Sequence, residues 1–268
     1  MVETTALPVK PSRALHFGLL IGLATLLALL GLWTLASSLG WSSPIFLPSP
    51  AKVWAALVRV ASEGYANASL LDHTLASLGR VMGALIATMA IGIPIGLIIA
   101  TSRIGRGILD PIIEFIRPLP PLAYLPLIII WCGIGEPSKI LVISIAMLAP
   151  IVISTVSGVR AAGEGQMRAA RAFGASRLQL IQEVMLPAAL PSILTGTRIA
   201  LGAGWTTLVA AELVAATKGL GYMIQSAAQF LVTDMVIAGI LVISALATVS
   251  ELILRAVERR FLPWIGKS

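Results

Sequence analysis

Long stretches without a charged residue are the feature that most limits how this chain can fold. Four of them begin at Phe17, Val81, Pro118 and Ile140, and each holds 18 to 20 residues. A helix of that length crosses a hydrocarbon core of roughly 30 Å. Several such runs are rare among the buried helices of soluble proteins, and the mean hydropathy of the whole chain is +0.96. The sequence therefore predicts a membrane protein.

Two further runs are weaker because each contains a glutamate. They begin at Ile199 and Met235 and contain Glu212 and Glu251, respectively. Each is still long enough to span a bilayer as a helix. With these two runs included, we predict an all-α membrane protein built as a bundle of six transmembrane helices.

The apolar runs divide the chain into a first span, a segment outside the membrane and a core of five spans. The run from Phe17 is about twice as long as the apolar core of a signal peptide and is followed by no cleavage site, so we expect it to remain as a span. After Pro50 apolar residues recur at helical spacing, which predicts a short amphipathic helix along the membrane surface with Trp54 among the headgroups. This helix either packs on the spans or docks an outside partner. The predicted divisions are a cytosolic tail 1–16, a first transmembrane helix 17–39, a periplasmic segment 40–72, a core 73–258 and a cytosolic tail 259–268.

The distribution of basic residues predicts the orientation, since lysine and arginine resist transfer across the membrane. With the amino terminus inside, the cytosolic segments hold twelve of them: Lys10, Arg13, Arg103, Arg106, Arg160, Arg168, Arg171, Arg177, Arg255, Arg259, Arg260 and Lys267. The opposite segments hold four, which are Lys52, Arg59, Lys139 and Lys218. This bias predicts that both termini face the cytosol, and it accounts for most of the net charge of +7.

The residues give little indication of a metal site, a nucleotide site or a nucleic-acid-binding surface. Cys132 is the single cysteine, and His16 and His73 have no partners at ligand spacing, so we expect neither a metal nor a disulfide. The final Gly-Lys-Ser resembles the end of a phosphate-binding loop, but Phe261 occupies the position of its first glycine. We therefore expect no cofactor and no nucleotide site in this chain. The basic residues are spread over four loops without interleaved aromatics, which argues against nucleic acid as a partner.

One charged, helix-prone segment between Arg168 and Pro187 contrasts with the apolar chain around it. Gly174 predicts a helix stop, Ser176 and Gln179 form a capping-box pattern, and Pro187 is predicted to end the second piece. Two helices this short are not stable alone, so we expect them to pack on the spans on one side and on a soluble protein on the other. Their apolar stripes consist of Met167, Ala170, Phe173, Leu178, Ile181 and Met185.

The same segment carries a resemblance to a known family. Ala169-Ala170, Gly174 four residues later, and Leu186-Pro187 resemble the signature loop of binding-protein-dependent ABC importer permeases. Arg168 stands where the family motif has glutamate. The resemblance implies a type I importer permease bundle in which the loop 160–187 forms a coupling helix that docks into a cytosolic ATPase. It assigns this coupling role to Arg168, Ala169, Ala170, Arg171, Phe173, Gly174, Ser176, Leu186 and Pro187.

Two other stretches narrow the resemblance to the nitrate, sulfonate and taurine branch, and within it to the permeases of taurine importers. They run from Arg106 to Leu141 and from Thr207 to Ile240. The branch implies a second permease copy, two ATPase subunits that bind ATP and Mg²⁺, and a periplasmic or lipid-anchored solute-binding protein, all at a bacterial inner membrane. The implied substrate is a small sulfonate, taurine first; other small anions such as alkanesulfonates, nitrate or bicarbonate are alternatives. A secondary transporter is a weaker alternative, because the chain shows no inverted repeat.

Four polar or aromatic residues of the fifth run are candidates for the translocation path: Trp205, Thr206, Thr207 and Glu212. An acid inside a span is a functional-site candidate by default. The alternative for Glu212 is a pair with Lys218 or with a backbone amide of the following loop. The threonines could instead bond to backbone carbonyls four residues earlier in their own helix. Glu114 and Arg117, three residues apart near the third span, predict an ion pair at its inner end.

Overall fold

The computed structural model describes residues 12–262, and their regular elements are helices. The predicted tail 1–16 and the Gly-Lys-Ser end therefore lie largely or wholly outside the described residues. In chain order the helices are α1 (Ser12–Ser38), α2 (Pro50–Glu63), α3 (Leu70–Thr101), α4 (Arg103–Ile116), α5 (Pro121–Cys132), α6 (Glu136–Arg160), α7 (Glu164–Ala172), α8 (Arg177–Gln179), α9 (Leu186–Ala215), α10 (Leu220–Gln229) and α11 (Thr233–Phe261). A π-helical turn, Leu180–Met185, joins α8 to α9.

Five of the six predicted spans are helices long and apolar enough to cross a membrane. They are Leu20–Ser38, Leu70–Thr101, Glu136–Arg160, Arg177–Val214 and Thr233–Arg260. These stretches overlap the apolar runs that begin at Phe17, Val81, Ile140, Ile199 and Met235. The fold class is thus confirmed by the helices themselves.

The third predicted span, from Pro118, was wrong in form: it contains only the 12-residue helix α5, which is too short to cross a membrane alone. Helices α4 and α5 meet at an angle of 107° across the break at residues 117–120. Pro118, Pro120 and Pro121 remove backbone donors, and Pro120, which precedes Pro121, is extended with ψ 130°. The pair provides a sixth crossing only as a broken span.

Helix α2 confirms the predicted amphipathic helix after Pro50. Ser49 caps its start by accepting a hydrogen bond from the Lys52 amide at 3.4 Å, and Pro50 occupies the first turn, where its missing donor costs nothing. The buried face consists of Val53, Ala56 and Val60 and packs with α10 and α11. Trp54 on the opposite face is 67% exposed. Of the two roles left open for α2, packing on the bundle is therefore observed.

The centre of the bundle consists of α3, α6 and α9, which pack closely on one another. Glycines allow the approach: a Cβ on Gly96 of α3 would lie 2.6 Å from Cβ of Thr155 on α6. Toward α9, a Cβ on Gly158 of α6 would lie 2.8 Å from Cα of Ala189. Contacts this short show that the backbone of one helix packs against the side chains of the next. Small residues allow this close approach in a membrane, where no hydrophobic driving force holds helices together. We call the two ends of this bundle the Glu136 end and the Arg160 end, after the termini of α6.

The segment at the Arg160 end has the predicted helix stop and restart. The Gly174 amide donates to the Arg171 carbonyl at 3.0 Å and the Ala175 amide to the Ala170 carbonyl at 3.0 Å, which is a Schellman motif. Gly174 has φ +82°, a left-handed conformation that glycine adopts at little cost. Ser176 then begins α8 in a reciprocal capping box with Gln179.

The prediction that Pro187 ends the second short helix was wrong. The chain continues from Arg177 to Val214 as one helical stretch of 38 residues. The π-helical turn makes this possible: the Leu186 amide donates to the carbonyl of Ile181, five residues earlier. The wider turn gives room for the proline ring, whose clash with the preceding turn would otherwise break the helix.

Candidate functional site

A cavity of about 420 Å³ opens between the α4–α5 break, the middle of α6 and the middle of α9. Pro150, near the middle of α6, lines it and leaves one backbone acceptor of α6 without its helical donor. Most of the other lining side chains are aliphatic. The polar side chains in the lining are Arg117, Tyr124, Ser154, Thr206 and Thr207.

Two of the four residues predicted for the path line this cavity. Thr206 is exposed and Thr207 is buried, and both face the cavity from α9. Thr206 Oγ1 donates to the carbonyl of Ala203 at 2.8 Å, so its hydroxyl does bond to its own helix, but three residues earlier and not four. The lining thus offers hydroxyl groups on an otherwise apolar wall.

The structure places the other two, Trp205 and Glu212, outside the cavity lining. Trp205 is 4% exposed and packs in the core cluster with Met147 and Leu208. Residues 205, 208 and 212 share one helical face, because they are separated by three and four positions. That face is turned toward α3 and α6, while residues 203, 206 and 207 are turned toward the cavity. Sequence alone did not show which face of α9 would line a cavity.

Glu212 belongs to a polar network at the Glu136 end. Its side chain is fully buried, and both carboxylate oxygens are satisfied. Ser77 Oγ donates to Oε1 at 2.7 Å, Arg80 Nη1 donates to the same oxygen at 2.6 Å, and the Gly221 amide donates to Oε2 at 2.7 Å. The geometry favours the backbone-amide alternative for Glu212, joined by an ion pair with Arg80 instead of Lys218.

Arg80 connects three helices and the α9–α10 turn within this network. Its Nε and Nη2 donate to Glu136 at 2.6 and 2.7 Å, and Nη1 also donates to the Lys218 carbonyl at 2.7 Å. Lys139 Nζ lies 2.9 Å from Glu136 Oε1 and adds a second cation to that carboxylate. The two-pronged arginine–carboxylate contact is the geometry that gives charge-assisted pairs their strength and direction. We use the term polar network for Ser77, Arg80, Glu136, Lys139 and Glu212, with His73.

The α9–α10 turn donates its backbone amides into the same network. The Gly219 amide bonds to His73 Nδ1 at 3.0 Å and the Leu220 amide to Ser77 Oγ at 2.9 Å. Because Nδ1 accepts, the proton of His73 is on Nε2, which bonds to the Tyr65 carbonyl at 2.9 Å. Gly219 has φ +135°, and a Cβ there would lie 2.6 Å from Arg80 Nη1, so the position requires glycine for two reasons.

This network was not predicted from the sequence, although one signal for it is present there. His73, Ser77 and Arg80 are spaced by four and three residues and therefore share one helical face. A polar stripe on one face of an apolar helix indicates that the face meets polar partners and not lipid. The partners themselves lie on other helices, and nothing in the local pattern identifies them.

A second group of ion pairs connects α9 to α11. Arg198 Nη2 lies 3.1 Å from Glu251 Oε1 and Nη1 lies 3.4 Å from Glu258 Oε2, while Arg255 also pairs with Glu251 at 2.7 Å. Glu251, which weakened the last predicted span, is thus compensated by two arginines. The predicted ion pair between Glu114 and Arg117 is not found among the described residues, which leaves Arg117 available to the cavity.

Most of the residues predicted to couple to an ATPase are exposed at the Arg160 end, whereas Ala170 and Leu186 are half-buried. Phe173 is 92% exposed, immediately before the Schellman turn at Gly174. Helix α7 packs against the π-helical turn, which fixes its position relative to α9.

Curated proteins of known sequence resemble the chain over nearly its whole length. It is 52% identical to the taurine transport system permease protein TauC of Escherichia coli K12. The 248 aligned residues cover 92% of this chain and 90% of that protein. It is 37% identical to the putative aliphatic sulfonates transport permease protein SsuC of the same organism, over 88% of each chain. It is 32% identical to the bicarbonate transport system permease protein CmpB of Synechococcus elongatus, over 93% of this chain and 89% of that protein.

Solved structures support the fold independently of sequence. An inward-facing structure of the MetNI methionine ABC transporter matches with a TM-score of 0.56 at 19% identity, covering 78% of this chain and 99% of that one. An amino acid ABC transporter matches with a TM-score of 0.57 at 21% identity, over 71% of this chain and 92% of that one. The family model described as "Binding-protein-dependent transport system inner membrane component" matches residues 92–263. The chain therefore belongs to the family of binding-protein-dependent transport system inner membrane components, the permeases of ABC importers.

Proposed function

We propose that this permease forms the translocation path for a small sulfonate, with taurine as the first substrate. The observation that carries this proposal is the 52% identity to a taurine permease over 92% of the chain. The 37% identity to an aliphatic sulfonates permease favours the same chemical class. The 32% sequence identity to a bicarbonate permease makes another small anion the second candidate substrate.

The proposed assembly contains two copies of this chain, two ATPase subunits and a solute-binding protein. ATP and Mg²⁺ are bound by the ATPase subunits, and this chain contributes the path and the coupling surface. Both termini and the coupling segment are on the cytosolic side of a bacterial inner membrane, in keeping with the twelve basic residues on that side against four on the other. The Arg160 end of the bundle then faces the ATPase, and the Glu136 end faces the binding protein.

The coupling surface comprises the exposed residues before and after Gly174. Arg168, Ala169, Ala170 and Arg171 precede the exposed Phe173, and Ser176 begins the helix that leads through Leu186 and Pro187 into α9. Small alanines around one aromatic side chain suit insertion into a cleft of a partner protein. Movement of that partner would act on α9 through the continuous helix.

The cavity beside α9 is proposed as this copy's part of the path, with Thr206 and Thr207 in its wall. Its aliphatic lining suits a short alkyl group, and its hydroxyl groups and Arg117 suit the polar ends of a small anion. Trp205 and Glu212 support α9 from its other face and contribute to the path only by holding that helix in place.

Growth on taurine as the sole sulfur source tests the substrate. A strain that lacks this gene and has no other taurine uptake system is expected not to grow on taurine, and to grow normally on sulfate. Expression of the gene from a plasmid should restore growth on taurine. Growth of the deleted strain on taurine would refute the assignment, and loss of growth on an alkanesulfonate or on nitrate alone would assign the alternative substrate.

A further inference from the structure

The lining of the cavity contains one positively charged side chain, Arg117. It lies in the break between α4 and α5, where the chain turns through 107°. Irregular backbone between membrane-crossing helices is tolerated where protein covers it or where it lines a polar cavity. The Arg117 side chain lines the cavity and is exposed, so its guanidinium is accessible to a ligand that enters.

No carboxylate compensates this charge among the described residues. Glu114, the partner that the sequence predicts, forms no ion pair with Arg117, and the lining of the cavity includes no acidic side chain. Arg80 and Arg198 show the contrast, since each pairs with two glutamates. Arg117 therefore supplies the cavity with a positive charge and five hydrogen-bond donors in a planar arrangement.

Tyr124 provides a second and independent observation in the same cavity. Its hydroxyl is buried and has no hydrogen-bond partner in the part of the chain that the structure describes. Most buried hydroxyls in proteins form a hydrogen bond, and a buried hydroxyl without one costs about 1–3 kcal/mol of stability. The unpaired hydroxyl of Tyr124 therefore calls for an explanation. An acceptor that occupies the cavity only during transport would provide it.

We infer that Arg117 and Tyr124 form an anion-binding site that holds the sulfonate group of the substrate while it crosses the permease. The inference rests on the proposed function and extends it, because it gives the permease its own selection for negative charge in addition to that of the binding protein. A sulfonate presents three equivalent oxygens, which can accept from the Arg117 guanidinium, the Tyr124 hydroxyl and the Thr207 hydroxyl together. The aliphatic wall at Ile145 and Ala149 then faces the short carbon chain.

Binding to the complete permease–ATPase complex in lipid nanodiscs, without the binding protein, tests this site. Radiolabelled taurine is the probe, and the competitors are 2-hydroxyethanesulfonate, which has the sulfonate without the amine, and ethanolamine, which has the amine without the sulfonate. Recognition of the anion requires that the first competes and the second does not. Equal competition by ethanolamine, or no taurine binding by the wild-type complex, would overturn the inference.

Variants then assign the site to its residues. Arg117→Gln should lower the affinity for taurine about tenfold or more, the loss expected for a hydrogen bond to a charged group, while Arg117→Lys retains most of it. Tyr124→Phe, which removes only the hydroxyl, should lower it by about two- to tenfold. Arg103→Gln, at the opposite end of α4 and away from the cavity, is the matched control and should bind like the wild type.

The outcomes separate this inference from the proposed function. If the wild-type complex with its binding protein transports taurine, but Arg117→Gln and Tyr124→Phe bind taurine as the wild type does, the anion site is wrong and the proposed function stands. If the wild-type complex does not transport taurine at all, the proposed function fails first. Should Arg117→Gln not assemble with the ATPase, the Tyr124→Phe affinity and the two competitors decide the question.

Discussion

Replacing Glu212 with glutamine changes one oxygen of the polar network to an amide nitrogen and leaves the shape of the side chain almost unchanged. The two carboxylate oxygens accept from three donors, at Ser77, Arg80 and Gly221, over distances of 2.6 to 2.7 Å. Glutamine has one acceptor oxygen. If that oxygen faces Ser77 and Arg80, the amide nitrogen meets the Gly221 amide, donor against donor. In the reverse orientation, the amide nitrogen faces the two donors of Ser77 and Arg80.

The stability lost in Glu212→Gln follows from the burial of these groups. A buried donor left without an acceptor costs about 1–3 kcal/mol. Removing one partner of a buried ion pair costs about 3–5 kcal/mol, because the remaining charge is left uncompensated. Arg80 keeps its two bonds to Glu136, so we expect the lower end of that range, about 3 kcal/mol. At roughly 2–4 °C per kcal/mol for a chain of this size, the midpoint of thermal unfolding should fall by about 6–12 °C.

The assay is thermal unfolding of the purified permease–ATPase complex, followed by fluorescence, together with taurine uptake by reconstituted vesicles. Glu63→Gln, at the exposed end of α2, is the matched control, and its midpoint should change by less than about 2 °C. An unfolding midpoint for Glu212→Gln equal to that of the control would refute the structural role. If uptake were lost at the same time, Glu212 would belong to the translocation path, as the sequence predicts.

Three further predictions concern the coupling surface, the turn after α9 and the orientation. Phe173→Ala should weaken attachment of the ATPase, at a cost of about 2 kcal/mol or more, and Gly174→Glu should weaken it further, both measured by co-purification with six spans still inserted. Full recovery of ATPase with Gly174→Glu would show that another surface docks it. Gly219→Ala should lower the unfolding midpoint at least as much as Glu212→Gln, because its Cβ meets Arg80 and its φ of +135° is strained for alanine; an unchanged midpoint would contradict the packing of this turn. A cysteine at Ser176 should react with an impermeant thiol reagent only after intact cells are opened, and labelling from outside would reverse the orientation.

The positions of the spans were predictable because they depend on composition alone. The runs around Val81 and Ile140 lack charge over a full bilayer thickness, and a chain with such runs has few alternatives to a helical bundle. The break after Arg117 was harder, because the prolines at 118, 120 and 121 can be read either as a loop before a span or as a bend within it. The continuation through Pro187 depended on a π-helical turn, which has no reliable sequence signal.

The contents of the polar network were not predictable for a different reason. Arg80 and Glu212 are 132 positions apart, and each taken alone is an unfavourable charge in an apolar helix. Only the packing of α3 against α9 shows that they compensate each other. Arg117 is the opposite case. Its proximity to Glu114 in the sequence favoured an ion pair, whereas the fold brings the arginine to the cavity without a carboxylate.

The arrangement of these groups along α9 explains how a distant event could reach the cavity. The helical stretch Arg177–Val214 is about 56 Å long at 1.5 Å per residue, and it begins beside the coupling surface and ends at the polar network. Thr206 and Thr207 lie between the two ends, so a tilt of α9 about the buried contacts of Glu212 would carry the cavity wall with it. A helix free at both ends could fray or slide without moving that wall. If an ATPase docks on the proposed coupling surface, the fully satisfied carboxylate at one end and the capping box at the other would let this helical stretch act as a rigid lever.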